Sequence, residues 1–250
     1  MKEYLLLGIL QGIFEWLPIS SEGIVALTSS FFLKTINPID LALYLHLGTF
    51  FAVLVYFYKD WKKILLLKDK KTFKFLTIVT LISLVIGGLL YFLIKEIAFG
   101  KWFLIIIGIG LLITGFFHKK KFFFKISFEK LAILTGILQG LSVIPGVSRS
   151  GATIFGLSFG KFSPNEILRF SYLMSAPVVL ISSVFLSFKE PLLFSKGVFF
   201  SLIAAFLSGI LSLKFLLKLS LKLNFFKFCL IFGGLCILGG LIEIFNQLIF

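Results

Sequence analysis

Acidic residues are scarce in this chain. Eleven Asp and Glu stand against 25 Lys and Arg in 250 residues, and charged residues of every kind make up only 14%. So few charges could not cover the 59% of residues that are hydrophobic, which excludes a water-soluble globular fold. Cysteine is limited to Cys229 and Cys236, seven apart on an apolar stretch. With no CxxC spacing and no histidine pair beside them, they argue against a disulfide or a zinc site and read as small buried hydrophobes. An aromatic-interleaved basic patch is also missing. The net charge of +14 therefore does not indicate nucleic acid: the lysines lie in short loops between apolar segments, where they carry topology. The first apolar block begins at Tyr4 and lacks a small-residue cleavage site, so no cleavable leader is read.

What is present in excess is hydrocarbon, with 34 Phe and a mean hydropathy of +1.09. A helix needs about 20 residues to cross the ~30 Å apolar layer of a bilayer. Ten apolar segments emerge. Tyr4 to Leu17 and Ser20 to Leu33 are too short to span comfortably and are joined by a Pro-Ile-Ser-Ser turn, the pattern of a re-entrant hairpin. Leu41 to Tyr58, Phe73 to Ile94 and Trp102 to Phe117 follow as spans. The scheme then repeats. Leu131 to Ile144 and Ser150 to Lys161 form a short pair, and Glu166 to Phe188, Lys196 to Leu217 and Phe225 to Phe250 are spans.

The repeat is also literal. Gly-Ile-Leu-Gln-Gly occurs at 8–12 and again at 136–140, each copy followed by a serine-bearing turn, and the offset of 128 persists from Gly8 and Gly136 to Gly23 and Gly151. The expected fold is therefore an all-α polytopic membrane protein of two inverted-topology repeats, 1–125 and 126–250. Each repeat is a re-entrant hairpin plus three transmembrane helices, six spans in total. If the loop from Lys59 to Lys74 is cytoplasmic, 18 Lys and Arg fall on the cytoplasmic side and 6 outside, with Arg149 in a hairpin. That bias places both termini outside and lets the two hairpin tips meet near the midplane.

Three charges break the apolar pattern at those tips: Glu15, Glu22 and Arg149. A charge at the bilayer centre costs roughly 2.5–3.5 kcal/mol on insertion scales, so each needs a partner. A buried ion pair that merely pins the halves is one reading. It does not account for Gln11, Ser20, Ser21, Ser148, Ser150 and Thr153 around the same turns, a lining suited to an oxyanion. In the second turn Pro145 ends one helix, Gly146 and Gly151 allow close approach, and Ser150 opens the next helix with its N–H groups toward the cavity. Arg149 adds a fork of donors that matches phosphate. In the first turn Gln11 and Glu15 share a helical face and can hold a hard divalent cation, with phosphate and water completing its shell. Ser20 and Ser21 supply hydroxyls beside that carboxylate for attack on phosphorus.

These stretches resemble the undecaprenyl-diphosphate phosphatase family, the integral-membrane type often called BacA. The resemblance rests on Gln11 to Glu15 with Pro18-Ile19-Ser20-Ser21, on Pro145 to Thr153, on Leu45 to Thr49 and on Phe170 to Leu173 with Pro177. It implies removal of the terminal phosphate of a C55 polyprenyl diphosphate to regenerate a carrier for cell-wall synthesis. It also implies a divalent cation, Mg²⁺ or Ca²⁺, and a site in the inner membrane open to the outer face. By the same resemblance Glu15 is the essential carboxylate and Gln11 its metal or water partner. Ser21 is the nucleophile or a phosphate ligand, and Arg149 is the diphosphate clamp, assisted by Ser20, Ser148, Ser150 and Thr153. The partners expected are the lipid substrate and membrane lipids, with a homodimer left open. One departure stands out: many members continue the first turn to a histidine with a catalytic part, and this chain has Ile24 there. Glu22 is the residue expected to take over acid/base or metal work. His46 is assigned mainly to helix packing, His118 to solvent. A lipid-phosphate flippase, or a phosphatase for a different polyprenyl diphosphate, are the competing readings.

Overall fold

A computed structural model describes residues 1–18, 21–32, 38–93, 105–106, 108–113, 116, 126–143, 147–189 and 195–249. Ser20, Pro145, Gly146, His118 and part of the expected span from Trp102 to Phe117 lie outside the described residues. Among the described residues all regular structure is helical. The helices are α1 (Lys2–Phe14), α2 (Ser21–Phe32), α3 (Pro38–Tyr56), α4 (Tyr58–Leu65), α5 (Lys70–Leu93), α6 (Phe128–Leu141), α7 (Arg149–Ser158), α8 (Pro164–Lys189), α9 (Lys196–Ser220) and α10 (Phe225–Ile249). Serine starts three of them: Ser127, Ser148 and Ser195 each accept a backbone N–H from the first turn that would otherwise lack a partner. Asp69 does the same for α5, accepting from the Thr72 N–H at 3.0 Å, and that bond holds its carboxyl below the ordinary range.

Among the described residues four helices are long and apolar enough to cross a membrane: within α5, α8, α9 and α10. Helices α3 and α4 together make a fifth candidate, bent by 81° between Tyr56 and Tyr58. The chain is therefore a multi-pass membrane protein. Its outer surface agrees. Leu81, Val85 and Leu89 form an exposed stripe four residues apart on α5, and Leu207, Leu211 and Phe215 form another on α9. Such apolar faces suit lipid rather than water.

The bend differs from the sequence expectation of a straight span followed by a loop from Lys59 to Lys74. After Tyr56 the chain turns into α4, whose Lys59, Lys62 and Lys63 face out while Phe57 before it and Ile64 within it are buried. Neither proline nor glycine stands at the break. The apolar anchors and the ion pair from Arg169 on α8 to Asp60 (2.5 Å) hold the turn.

Helix pairing runs across the chain rather than along it. Helix α1 packs along α9, and α6 packs along α5. The repeated pentapeptide makes both contacts, because its two glycines are four apart and lie on one face. A Cβ on Gly12 would sit 2.6 Å from the Ala205 carbonyl oxygen and 2.6 Å from the Gly209 nitrogen. A Cβ on Gly140 would sit 2.8 Å from Ile86 Cβ and 3.1 Å from the Ser83 carbonyl oxygen. Hydroxyls stitch the same seams: Ser212 donates to the Gly12 carbonyl (2.7 Å) and Ser83 to the Gly136 carbonyl (3.0 Å). The sequence marks a duplication here, and the structure adds what the pentapeptide does, which is to bring helix backbones into contact.

Candidate active site

The site forms where the end of α1 meets the start of α7. Helix α1 stops at Phe14, and Trp16 fixes the chain that follows by donating its indole N–H to the Gly209 carbonyl on α9 (2.9 Å). The carbonyls released at this helix end need donors. Residues of the second half provide them. Ser150 donates to the Leu17 carbonyl at 2.6 Å, Ser148 to the same oxygen at 3.4 Å, and the Tyr172 hydroxyl to the Trp16 carbonyl at 3.4 Å. Trp16 and Tyr172 also pack ring to ring, with centroids 5.0 Å apart.

Glu15 and Arg149, 134 residues apart, meet in this junction. Arg149 Nη2 donates to Glu15 Oε1, and the two side chains are only 12% and 2% exposed. The other carboxylate oxygen, Oε2, is surrounded by donors. Gln11 Nε2 lies at 2.6 Å, Ser21 Oγ at 3.1 Å and His46 Nε2 at 3.0 Å. A buried carboxylate is tolerated only with such partners, and here two of them are cationic or can become so.

Some donors are left over. Arg149 Nε and Nη1 are buried and have no hydrogen-bond partner among the described residues. Gln11 Oε1 is a buried acceptor in the same condition. Orphaned buried groups are rare in folded proteins and call for a ligand, an ion or a water. Two free guanidinium N–H groups match the oxygens of a phosphate.

Of the residues singled out from sequence, Gln11, Glu15, Ser21 and Arg149 come together on one another. Ser148, Ser150 and Thr153 are buried beside them with partners inside the protein. Ser148 caps α7, Ser150 holds Leu17, and Thr153 bonds the Arg149 carbonyl (3.0 Å) and Ser171 Oγ (2.6 Å). They hold Arg149 and the tip-to-tip junction in place. Glu22 is half-buried in the first turn of α2, within electrostatic reach of His46. Among the described residues no group of three or more His, Cys, Asp or Glu is arranged to hold a metal.

His46 on α3, expected mainly to pack, belongs to the site as well. The packing bond expected of it exists, Nδ1 to the Ala42 carbonyl at 2.9 Å. Its other nitrogen reaches Glu15. A signal was available: an ionisable ring in an apolar span is costly without a polar partner.

Comparison with known proteins decides the family. Residues 4–241 match the family model described as "Bacitracin resistance protein BacA". The chain belongs to the BacA family. Both tips and His46 lie inside the matched region. Relatives named "Undecaprenyl-diphosphatase" match over almost their full length. One from Sulfurisphaera tokodaii is 32% identical, with 98% of each chain covered. One from Methanococcus vannielii is 34% identical, with 97% of this chain and 99% of the relative covered. One from Thermosipho africanus is 33% identical, with 97% and 98% covered.

Proposed function

We propose that this member of the BacA family hydrolyses a polyprenyl diphosphate, undecaprenyl diphosphate in the first instance, to the monophosphate and inorganic phosphate. The observation that carries the proposal is the buried Glu15–Arg149 pair, with Arg149 Nε and Nη1 still lacking acceptors. Phosphoryl transfer depends on positioning and on stabilising charge over the phosphate oxygens, and a guanidinium fork with two unused N–H groups supplies both.

The chemistry follows from the carboxylate. Ser21 Oγ–H already donates to Glu15 Oε2 at 3.1 Å. Ser21 Oγ attacks the terminal phosphorus while its proton passes to Glu15. The bond from that phosphorus to the bridging oxygen breaks, and the bridging oxygen leaves with the electron pair on the lipid monophosphate. Water then attacks the serine phosphate. The proton on Glu15 returns to Ser21 Oγ, and inorganic phosphate leaves carrying both hydrogens of the water. Arg149 holds the phosphate oxygens through both steps.

The divalent cation, Mg²⁺ or Ca²⁺, fits the oxygens of Gln11 and Glu15. Gln11 Oε1 is buried without a donor four residues from the carboxylate, which suits a hard cation. The protein supplies only these oxygens, so the substrate diphosphate and water would complete the shell. When bound, the ion offsets negative charge on the diphosphate.

The same reading takes the molecule as two inverted repeats with six spans, both termini outside and the site open to the outer face of the plasma membrane. The exchange of partners supports it. With an offset of 128, α1 corresponds to α6 and α9 to α5, and the pairs in contact are α1 with α9 and α6 with α5. That pattern also favours a second reading, a lipid-phosphate carrier of alternating-access type. Phosphate release from C55 diphosphate by the purified protein in detergent separates the two. Hydrolysis that disappears in Ser21→Ala, with a serine phosphate trapped in the parent, supports the phosphatase. Transport into vesicles without phosphate release overturns it.

A further inference from the structure

Glu15 offers two oxygens to four donors, and one of those donors comes from a helix outside both hairpins. His46 sits in the middle of α3, with its side chain 12% exposed. Its Nδ1 lies 2.9 Å from the Ala42 carbonyl oxygen, which can only accept, so Nδ1 carries a proton. Nε2 lies 3.0 Å from Glu15 Oε2, so one proton lies between ring and carboxyl, and with Glu15 ionised it is His46 that donates. The charged groups facing it are Glu15 just past the end of α1, Arg149 on α7 and Glu22 on α2.

The segment that carries His46 has little room to move. A Cβ on Gly48 would sit 2.6 Å from the Leu202 carbonyl oxygen and 2.7 Å from Ala205 Cβ, so α3 is pressed onto α9 one half-turn beyond the histidine. Thr49 donates to the His46 carbonyl at 2.9 Å. Helix α9 is also the element that pins Trp16, next to Glu15. His46 and Glu15 are thus fixed against the same helix.

We propose that His46 is the positioning residue for Glu15. Arg149 has two tasks that compete. Nη2 bonds Glu15 Oε1, and in the reaction phosphate oxygens on Nε and Nη1 draw on the same positive charge, which weakens its hold on the carboxylate. A buried carboxylate that loses its cationic partner moves or takes a proton, and either change disarms it as the acceptor for Ser21. His46 grips the opposite oxygen, so Glu15 stays ionised and aimed at Ser21 while Arg149 serves the substrate.

This proposal rests on the reading of Glu15 as the proton acceptor, and the test separates the two. Steady-state kinetics are measured on the purified full chain in detergent with C55 diphosphate, with thermal unfolding as a check on folding. The expected result for His46→Ala is a kcat about a hundredfold lower with KM within about threefold, the signature of a misplaced group rather than a lost substrate contact. His46→Gln keeps an N–H donor within reach of Oε2 and is expected to recover at least about tenfold of that loss. His46→Phe keeps the ring volume without a donor; it stands in if the alanine variant fails to fold, and it is expected to be as slow. A kcat within about threefold of the parent in a folded donorless variant, with Glu15→Ala inactive, overturns the proposal and leaves Glu15 its role. His46→Gln as slow as the donorless variants also overturns it. Full activity of Glu15→Ala overturns the underlying reading, and this proposal with it.

Discussion

The two copies of Gly-Ile-Leu-Gln-Gly do the same thing with their glycines and different things with their glutamines. Gly8 and Gly12 bring α1 onto α9, and Gly136 and Gly140 bring α6 onto α5. Gln11 donates to Glu15, whereas Gln139 donates to Ser83 Oγ at 3.1 Å, a contact between helices and nothing more. The offset of 128 extends the contrast. Opposite Glu15 stands Val143, opposite His46 stands Met174, and opposite Ser21 stands Arg149. Two similar frames carry one site. Its carboxylate and imidazole are on the first copy, and the second copy adds the guanidinium. Small residues at fixed spacing set the frame, so it can be preserved while the polar residues between them change.

The contrast breaks most completely at the ion pair that joins the copies. Arg149→Ala is expected to lower kcat/KM by about a thousandfold or more, the range found when an arginine that stabilises a transferring phosphoryl group is removed. Arg149→Lys should recover little, since a single ammonium cannot bond Glu15 and two phosphate oxygens as a planar fork does. Glu15→Ala is expected to fall as far. A double variant, Glu15→Ala with Arg149→Ala, should be no slower than either single variant, because the two act as one unit. Phosphate release from C55 diphosphate reads all four. Losses that multiply in the double variant would show that the residues act independently.

The frame itself is tested next, by unfolding rather than by activity. A methyl group on Gly12 meets backbone on α9 at 2.6 Å, whereas on Gly140 it meets Ile86 Cβ at 2.8 Å and backbone only at 3.1 Å. Side chains shift more readily than helix backbones. Gly12→Ala is therefore expected to destabilise by more than Gly140→Ala, within the ~1–3 kcal/mol typical of overpacking, and to lower the thermal midpoint in detergent accordingly. Equal shifts would mean that both seams yield alike.

How much of this was legible follows the same division. Local features survive in sequence: the pentapeptide, and the charges at Glu15 and Arg149 that no lipid-facing position would hold. Their meeting was expected too, and the Glu15–Arg149 pair is there. Contacts set by tertiary packing were not. The sequence near His46 records a histidine on an apolar helix, and the Ala42 bond satisfies one of its nitrogens without reference to the site. Only the packing of α3 beside α1 puts the other nitrogen on Glu15. The turn after Tyr56 is equally silent, since no proline or glycine stands there and burial of Phe57 and Ile64 decides it. Ser148, Ser150 and Thr153 show the opposite case. Their hydroxyls are read as phosphate ligands from the turn and the family resemblance, and the structure adds bonds to the Leu17 carbonyl and to Ser171 that sequence does not show.

The smallest effects sharpen the comparison at its origin, the two glutamines. Gln11 loses its bond to the carboxylate proposed as proton acceptor when truncated, and the oxygen proposed for the cation goes with it. Gln11→Ala is expected to lower kcat by about 10- to 100-fold and to raise the Mg²⁺ concentration needed for half-maximal rate. Gln139→Ala removes a neutral bond to Ser83, which keeps its own bonds to the Val79 and Gly136 carbonyls at 2.7 and 3.0 Å. The cost should be close to that of one buried neutral hydrogen bond, about 1 kcal/mol of stability, with kcat within about threefold of the parent. The Gln139 amide oxygen is itself buried without a partner among the described residues, so removing the whole amide relieves one unsatisfied group and pulls that cost down further. A Gln139 variant as slow as the Gln11 variant would mean that α6 transmits its packing to Arg149 through the short connection to α7, and that the second copy contributes to the chemistry by more than its guanidinium.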